Sequence, residues 1–291
     1  MNNMVQNISP IIKPQELLAL IHHKDIILID ARAGAHAKEK YAANHLKGAK
    51  HVDLDSQLAD IKPNVAEGGR HPLPSVAQFI QLLTELGITP DAHVIVYDDK
   101  NGAHAAARFW WMLKAIGHVC VQVIDGGMNA AIEAGYPLSN EDVKDENNEV
   151  KDIAYKSEWD LLWADIAEVE MATQNTQSLI IDVRESGRYN GEFEPIDLIA
   201  GHIPSAVSIP YTSNLDTEGY FLSPSELREK YQKALDGKKS EQVIVHCGSG
   251  VTACHTLLAM AYAGMEIPKL YVGSWSEWSR NNRPMVVLED E

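Results

Sequence analysis

Short apolar runs stand at 26–29, 94–97, 121–124, 179–181, 243–245 and 270–272, each bounded by polar or small residues. Runs this short and continuous, without the polar alternation of a half-solvated sheet, predict strands buried on both faces. Between them lie longer stretches that read as helices, such as Phe109-Trp110-Trp111-Met112-Leu113 and Thr256-Leu257-Leu258-Ala259-Met260. Strand and helix in alternation predict α/β units, each a mostly parallel sheet flanked by helices.

The runs also pair off in order, which predicts a duplicated domain. Ile26-Ile27-Leu28-Ile29 closes on Asp30-Ala31-Arg32, and Leu179-Ile180-Ile181 closes on Asp182-Val183-Arg184. Because both copies repeat the arginine after a strand aspartate, Arg32 and Arg184 are expected to be structural hydrogen-bonding residues. His45-Leu46-Lys47-Gly48-Ala49 matches His202-Ile203-Pro204-Ser205-Ala206, each read as a turn before a strand. Val94-Ile95-Val96-Tyr97-Asp98 matches Val243-Ile244-Val245-His246-Cys247, so Asp98 and Cys247 take equivalent places. Residues 121–128 parallel 268–275. The stretch from Leu138 to Glu149 is polar, acidic and aperiodic, so domains are expected at 1–138 and 157–291 with a linker over 139–156.

Composition narrows the picture. A length of 291 residues fits two domains better than one, and 45% hydrophobic with 23% charged residues is ordinary globular composition. Twenty-five basic against 41 acidic residues leave a formal charge of −16, which argues against nucleic acid and anionic membranes as partners. A small anion can still bind where a few cations and helix amides gather. No apolar stretch approaches the roughly 20 residues of a membrane span. The opening segment also lacks the basic start and apolar core of an export signal. Three cysteines, Cys120, Cys247 and Cys254, do not make a disulfide framework and predict a reducing, cytoplasmic setting.

The strongest chemical signal is His246-Cys247-Gly248-Ser249-Gly250-Val251-Thr252-Ala253-Cys254. A cysteine leaves a strand, enters a glycine-rich loop and precedes a helix. Two glycines and a serine let successive amides turn inward, and the helix adds its positive end, a cradle that favours a thiolate or persulfide anion. Taken alone, Cys247 is as well read as a small buried hydrophobe; the loop around it favours the nucleophile. Cys254 is expected to be buried and inert rather than a resolving thiol. A zinc site from His246, Cys247, Cys254 and His255 lacks paired-ligand spacing. A cysteine phosphatase needs a basic residue in the loop, and none stands between Gly248 and Cys254.

Cys247-Gly248-Ser249-Gly250-Val251-Thr252 resembles the active-site loop of 3-mercaptopyruvate sulfurtransferases, within the rhodanese family. The likeness extends to both Asp-x-Arg strands, both His-x-x-x-Ala turns and Gly273-Ser274-Trp275-Ser276-Glu277-Trp278, nearly the whole chain. It implies two tandem rhodanese-like domains of which only the second is catalytic, since Asp98 cannot carry sulfane sulfur. It implies a small anionic sulfur donor, a Cys247 persulfide, and a thiol, cyanide or thioredoxin-like acceptor, with no cofactor and no metal. Thiosulfate-specific members usually carry Arg-Lys after the cysteine. Gly248-Ser249 removes those cations and points to 3-mercaptopyruvate, with thiosulfate or a non-turnover sulfur carrier as the alternatives.

The resemblance further implies a relay of Ser249, His71 and Asp55, carried by Val52-Asp53-Leu54-Asp55 and Arg70-His71-Pro72-Leu73-Pro74. On the residues alone, a turn histidine and a turn-capping carboxylate are the simpler readings of His71 and Asp55. Arg188, in Arg184-Glu185-Ser186-Gly187-Arg188, matches a family arginine that grips the donor carboxylate, while the amides of Gly248, Gly250, Val251 and Thr252 are expected to hold the sulfur anion. The family's second arginine is missing. This chain reads Glu194-Pro195-Ile196-Asp197-Leu198, and Asp197 facing the cleft would repel the donor. His104, near the equivalent loop of the first copy, could reach the cleft but is expected to have a bland surface or helix-start role.

Overall fold

The computed structural model describes residues 8–23, 26–143, 154–161 and 163–288. Of the expected linker, residues 144–153 lie outside them. The chain separates into two compact units.

In the first unit, five parallel strands lie in the order Ile11–Ile12, Val121–Ile124, His93–Tyr97, Ile26–Asp30 and Ala49–His51. In the second, the order is Trp163–Ala164, Lys269–Tyr271, Val243–His246, Leu179–Asp182 and Val207–Ser208, again parallel throughout. Strand for strand this is one topology used twice, as the internal repeat predicts. The central runs are buried because helices cover the sheet: Val94, Ile95 and Val96 are inaccessible to solvent, as are Val243 and Val245. Each His-x-x-x-Ala turn is pinned by an antiparallel contact, His45–Leu46 on Leu138–Ser139 and His202 on Val286.

Helix boundaries follow local chemistry. Val76–Leu86 starts at Ser75, whose hydroxyl accepts from Gln78 N–H, and stops at Gly87 in the left-handed region. Pro224–Leu235 starts at Ser223 with the same reciprocal bonding to Glu226. The apolar blocks at 109–113 and 256–260 fall within helices Ala105–Ala115 and Thr252–Tyr262, both buried nearly all round.

The Asp-x-Arg repeats lock the last residue of an inner strand in each sheet. Arg32 Nε donates to both Asp30 oxygens, at 3.0 and 2.9 Å, and its Nη2 reaches Asn44 O at 2.6 Å. Arg184 repeats this on Asp182, and its Nη2 reaches Gly201 O at 2.6 Å. In both pairs the aspartate carboxylate is fully buried and its charge is met by the guanidinium.

The units are not contiguous in sequence. Residues 59–73 belong to the second unit and 218–220 to the first. The arm 59–73 docks through its backbone: Gly68 N–H donates to Glu277 Oε1 at 2.9 Å, and Arg70 N–H to Ser276 Oγ at 3.0 Å. In return Asn281 Nδ2 donates to Ala66 O at 2.9 Å. Gly69 is the point of closest approach. Its φ is +80°, and an added Cβ would lie 2.3 Å from Gly273 O, so only glycine fits.

Candidate active site

The candidate site of the second unit is built on the loop that follows strand Val243–His246. Cys247 is 2% exposed and Ser249 5%. The loop is clamped from below by 273–276: Cys247 N–H donates to Ser274 Oγ at 3.2 Å, while Cys247 O and Gly248 O accept from Trp275 N–H and Ser276 N–H at 3.0 and 2.9 Å. Gly250 turns the chain with φ +71°, and a Cβ there would meet Val272 O at 2.5 Å. Helix Thr252–Tyr262 begins directly after Val251. The first amides of such a helix have no intrahelical partner, and this helix start lies five residues after Cys247.

His246 lies beneath the loop, fully buried, with Nε2 3.7 Å from Asp182 Oδ2. Burial pulls the His246 pKa down despite that carboxylate. Burial tends to raise Asp182, but His246 and Arg184 more than offset it and hold the carboxyl below its ordinary range. His246 and Asp182 end neighbouring strands of the sheet, where they pair in register, and both are fully buried.

The docked arm brings His71 to the loop, with Nδ1 2.7 Å from Ser249 Oγ. That contact is short and polar, and Ser249 is the second residue after Cys247. Asp55 lies in the first unit, in the first turn of helix Leu54–Gln57, which Asp53 caps.

Arg188 stands beside Gly248 within a larger charge cluster. Its Nε and Nη2 meet Glu194 at 3.0 and 2.8 Å, and Nη2 also meets Asp197 Oδ2 at 3.2 Å. Burial works to raise the Glu194 pKa, but Arg188 and the amides of Asp197 and Ile196 hold it below the usual carboxylate range. The Asp197 side chain is fully buried and also takes Arg70 Nε at 3.0 Å and Arg280 Nη1 at 3.2 Å. Sequence reasoning saw Asp197 as an unbalanced charge. It missed Arg280 and the pairing role of Arg70, although Arg70 stands next to His71 in the chain.

The first unit carries a loop at the equivalent strand end, with a carboxylate in place of sulfur and two more residues before its helix. Asp98 Oδ1 accepts from Lys100 N–H and Gly102 N–H, both at 2.9 Å, and Oδ2 from His104 N–H and Ala106 N–H at 3.0 and 3.2 Å. His104 occupies the N-cap of helix Ala105–Ala115, the expected helix-start position, and burial lowers its pKa. Cys254, fully buried, donates its thiol to Gly250 O at 3.3 Å.

A strand–cysteine–glycine-loop–helix unit, preceded in the chain by a copy whose cysteine is replaced, is the layout of a duplicated sulfur-handling domain. Residues 13–134 and 164–281 each match the rhodanese-like domain, and the chain belongs to that family. It is 36% identical to a probable 3-mercaptopyruvate sulfurtransferase of Pseudomonas aeruginosa, over 95% of this chain and 97% of that one. It is 34% identical to the thiosulfate sulfurtransferase of Rattus norvegicus, over 85% of this chain and 82% of the other. Among solved structures, 3-mercaptopyruvate sulfurtransferase from Leishmania major superposes with a TM-score of 0.82 at 30% identity, covering 94% of this chain and 75% of that one. Among the described residues no helix is long and apolar enough to cross a membrane.

Proposed function

We propose that the chain moves sulfur from 3-mercaptopyruvate to a thiol or cyanide acceptor through a persulfide on Cys247. The observation that carries this reading is the 2.7 Å contact of His71 with Ser249 in the loop that bears Cys247. The names of relatives that match nearly the whole chain support the donor.

The Cys247 thiolate attacks the donor sulfur as the carbon–sulfur bond breaks. The bonding pair leaves on carbon as the enolate of pyruvate. The proton released from the donor thiol ends on that carbon, and the outer sulfur stays on Cys247 as an anion that the amides of Gly248, Gly250, Val251 and Thr252 stabilise. Ser249 relays the thiol proton to or from His71, and Asp55 is proposed as the carboxylate that orients His71, on the family resemblance of its segment. Arg188 orients the donor carboxylate. In the second half-reaction an acceptor thiolate, cyanide or the thiolate of a thioredoxin-like protein attacks the outer sulfur and returns Cys247 as thiolate. Three free cysteines are consistent with work in the cytoplasm.

Thiosulfate is the second donor, a reading favoured by the thiosulfate sulfurtransferase of rat, which matches most of the chain. Cys247→Ser is expected to abolish transfer from either donor, and mass spectrometry of the wild type after donor treatment should find one extra sulfur on the peptide containing Cys247. Full turnover in that variant would defeat the assignment.

A further inference from the structure

The cations beside the catalytic loop are already engaged by a carboxylate of the chain itself. Asp197 Oδ1 accepts from Arg70 Nε at 3.0 Å and Arg280 Nη1 at 3.2 Å. Oδ2 accepts from Arg70 Nη2 at 3.3 Å and Arg188 Nη2 at 3.2 Å. The group lies against the loop: a Cβ at Gly248 would stand 2.9 Å from Arg70 Nη2, 3.4 Å from Arg188 Nη2 and 3.4 Å from Asp197 Oδ2. Arg70, Arg188 and Arg280 face Asp197 and Glu194, so the cluster keeps a single net positive charge.

The surrounding segment holds Asp197 inward. Its chain neighbours Ile196 and Leu198 are 53% and 67% exposed, while the Asp197 side chain is fully buried. Glu194 Oε1 accepts from the amides of Ile196 and Asp197, at 3.1 and 3.0 Å, which fixes the turn that points the carboxylate at the arginines.

We propose that Asp197 is a specificity-determining residue: an internal carboxylate that competes with the donor's carboxylate for the guanidinium groups of Arg70, Arg188 and Arg280. This rests on the sulfurtransferase reading for its substrate, though not for its binding site. A donor carboxylate arriving here meets hydrogen-bond donors already shared and a like charge a few ångströms away. Removing that charge leaves two net positive charges and releases the Arg70 edge that Asp197 occupied, while Arg188 keeps Glu194 and Arg280 keeps Ser276 O.

The test measures the dissociation constant of pyruvate by calorimetry in the wild type, Asp197→Asn and Asp197→Ala, with folding checked by thermal melt. It adds kcat/KM for 3-mercaptopyruvate and for mercaptoacetone, which has the ketone and thiol without the carboxylate. Pyruvate is expected to bind about tenfold or more tightly in both variants, and the mercaptopyruvate to mercaptoacetone ratio to rise by a similar factor. Unchanged or weaker pyruvate binding in a folded variant overturns the proposal. Should neither variant fold, the wild type decides: a carboxylate preference below about tenfold supports the competition, and a larger one refutes it. Absence of sulfur transfer from every donor would sink the sulfurtransferase reading while leaving the pyruvate affinities to judge Asp197.

Discussion

Gly69→Ala should release the arm that carries His71, and the size of the effect follows from the contacts around it. At φ +80° an alanine pays about 1 kcal/mol in backbone strain. Its Cβ would lie 2.3 Å from Gly273 O and 2.6 Å from Ser276 Oγ, and the first of these is backbone that the loop clamp holds in place. The arm must therefore lift. Lifting breaks the bonds of Gly68 N–H to Glu277 and Arg70 N–H to Ser276, each worth about 1 kcal/mol. The clash can cost no more than giving up these two bonds, so with the backbone strain the penalty on the docked arm reaches about 3 kcal/mol at most, a ceiling of about two decades in its opening equilibrium. Amide hydrogen exchange at Gly68 and Arg70 reads that equilibrium directly and should accelerate by up to about 100-fold, with kcat/KM falling alongside because His71 leaves Ser249. Gly135→Ala is the control: it has φ +92° and nothing within 4 Å of an added Cβ. It should cost backbone strain without touching exchange in the arm. Arm exchange in Gly69→Ala within twofold of wild type, roughly 0.4 kcal/mol, would show that the close approach does not hold the arm, and the argument would fail.

Two further outcomes separate chemistry from scaffold. Ser249→Ala should lower kcat/KM for 3-mercaptopyruvate more than for thiosulfate, since only the former brings a thiol proton for the Ser249–His71 pair; equal losses would count against the relay. His255 is fully buried, stacked on Phe221 with ring centroids 4.5 Å apart, and burial holds its pKa down at about 3. The unfolded chain takes up that proton below its ordinary pKa of about 6.5 and the native state does not, so this contribution to stability is lost as pH falls from there toward 3. Denaturant unfolding of wild type and His255→Gln between pH 7 and pH 4 should show the wild type losing about 3 kcal/mol more than the variant. Parallel losses would show that His255 is protonated in the native state.

What the sequence revealed and what it hid divides along a physical line. Buried parallel strands are short continuous apolar runs, so the three inner strands of each sheet could be read along the chain while the two-residue strands Ile11–Ile12 and Trp163–Ala164 were too short to see, and the repeated Asp-x-Arg announced a pairing that needs only neighbouring residues. The loop at Cys247 was readable for the same reason, because strand, glycines and helix start are consecutive. The exchange of 59–73 into the second unit was not readable, because the arm is polar coil whose partners, Gly273 to Asn281, lie some two hundred residues away and bind its backbone rather than its side chains. Asp197 shows the same limit. A sequence displays its charge, but the three arginines that neutralise it come from 70, 188 and 280, and only the fold brings them together.

The duplicated loop makes the electrostatic logic of the site explicit. In the first unit four amides converge on Asp98, so the cradle carries an anion supplied by its own side chain; burial raises the Asp98 pKa, and those amides with His104 pull it back. In the second unit the residue at that place is Cys247, whose methylene carries a thiol where Asp98 carries a carboxylate. The equivalent strand end thus holds a fixed carboxylate that four amides satisfy in the first unit and a thiol in the second, and the helix begins seven residues after Asp98 but five after Cys247.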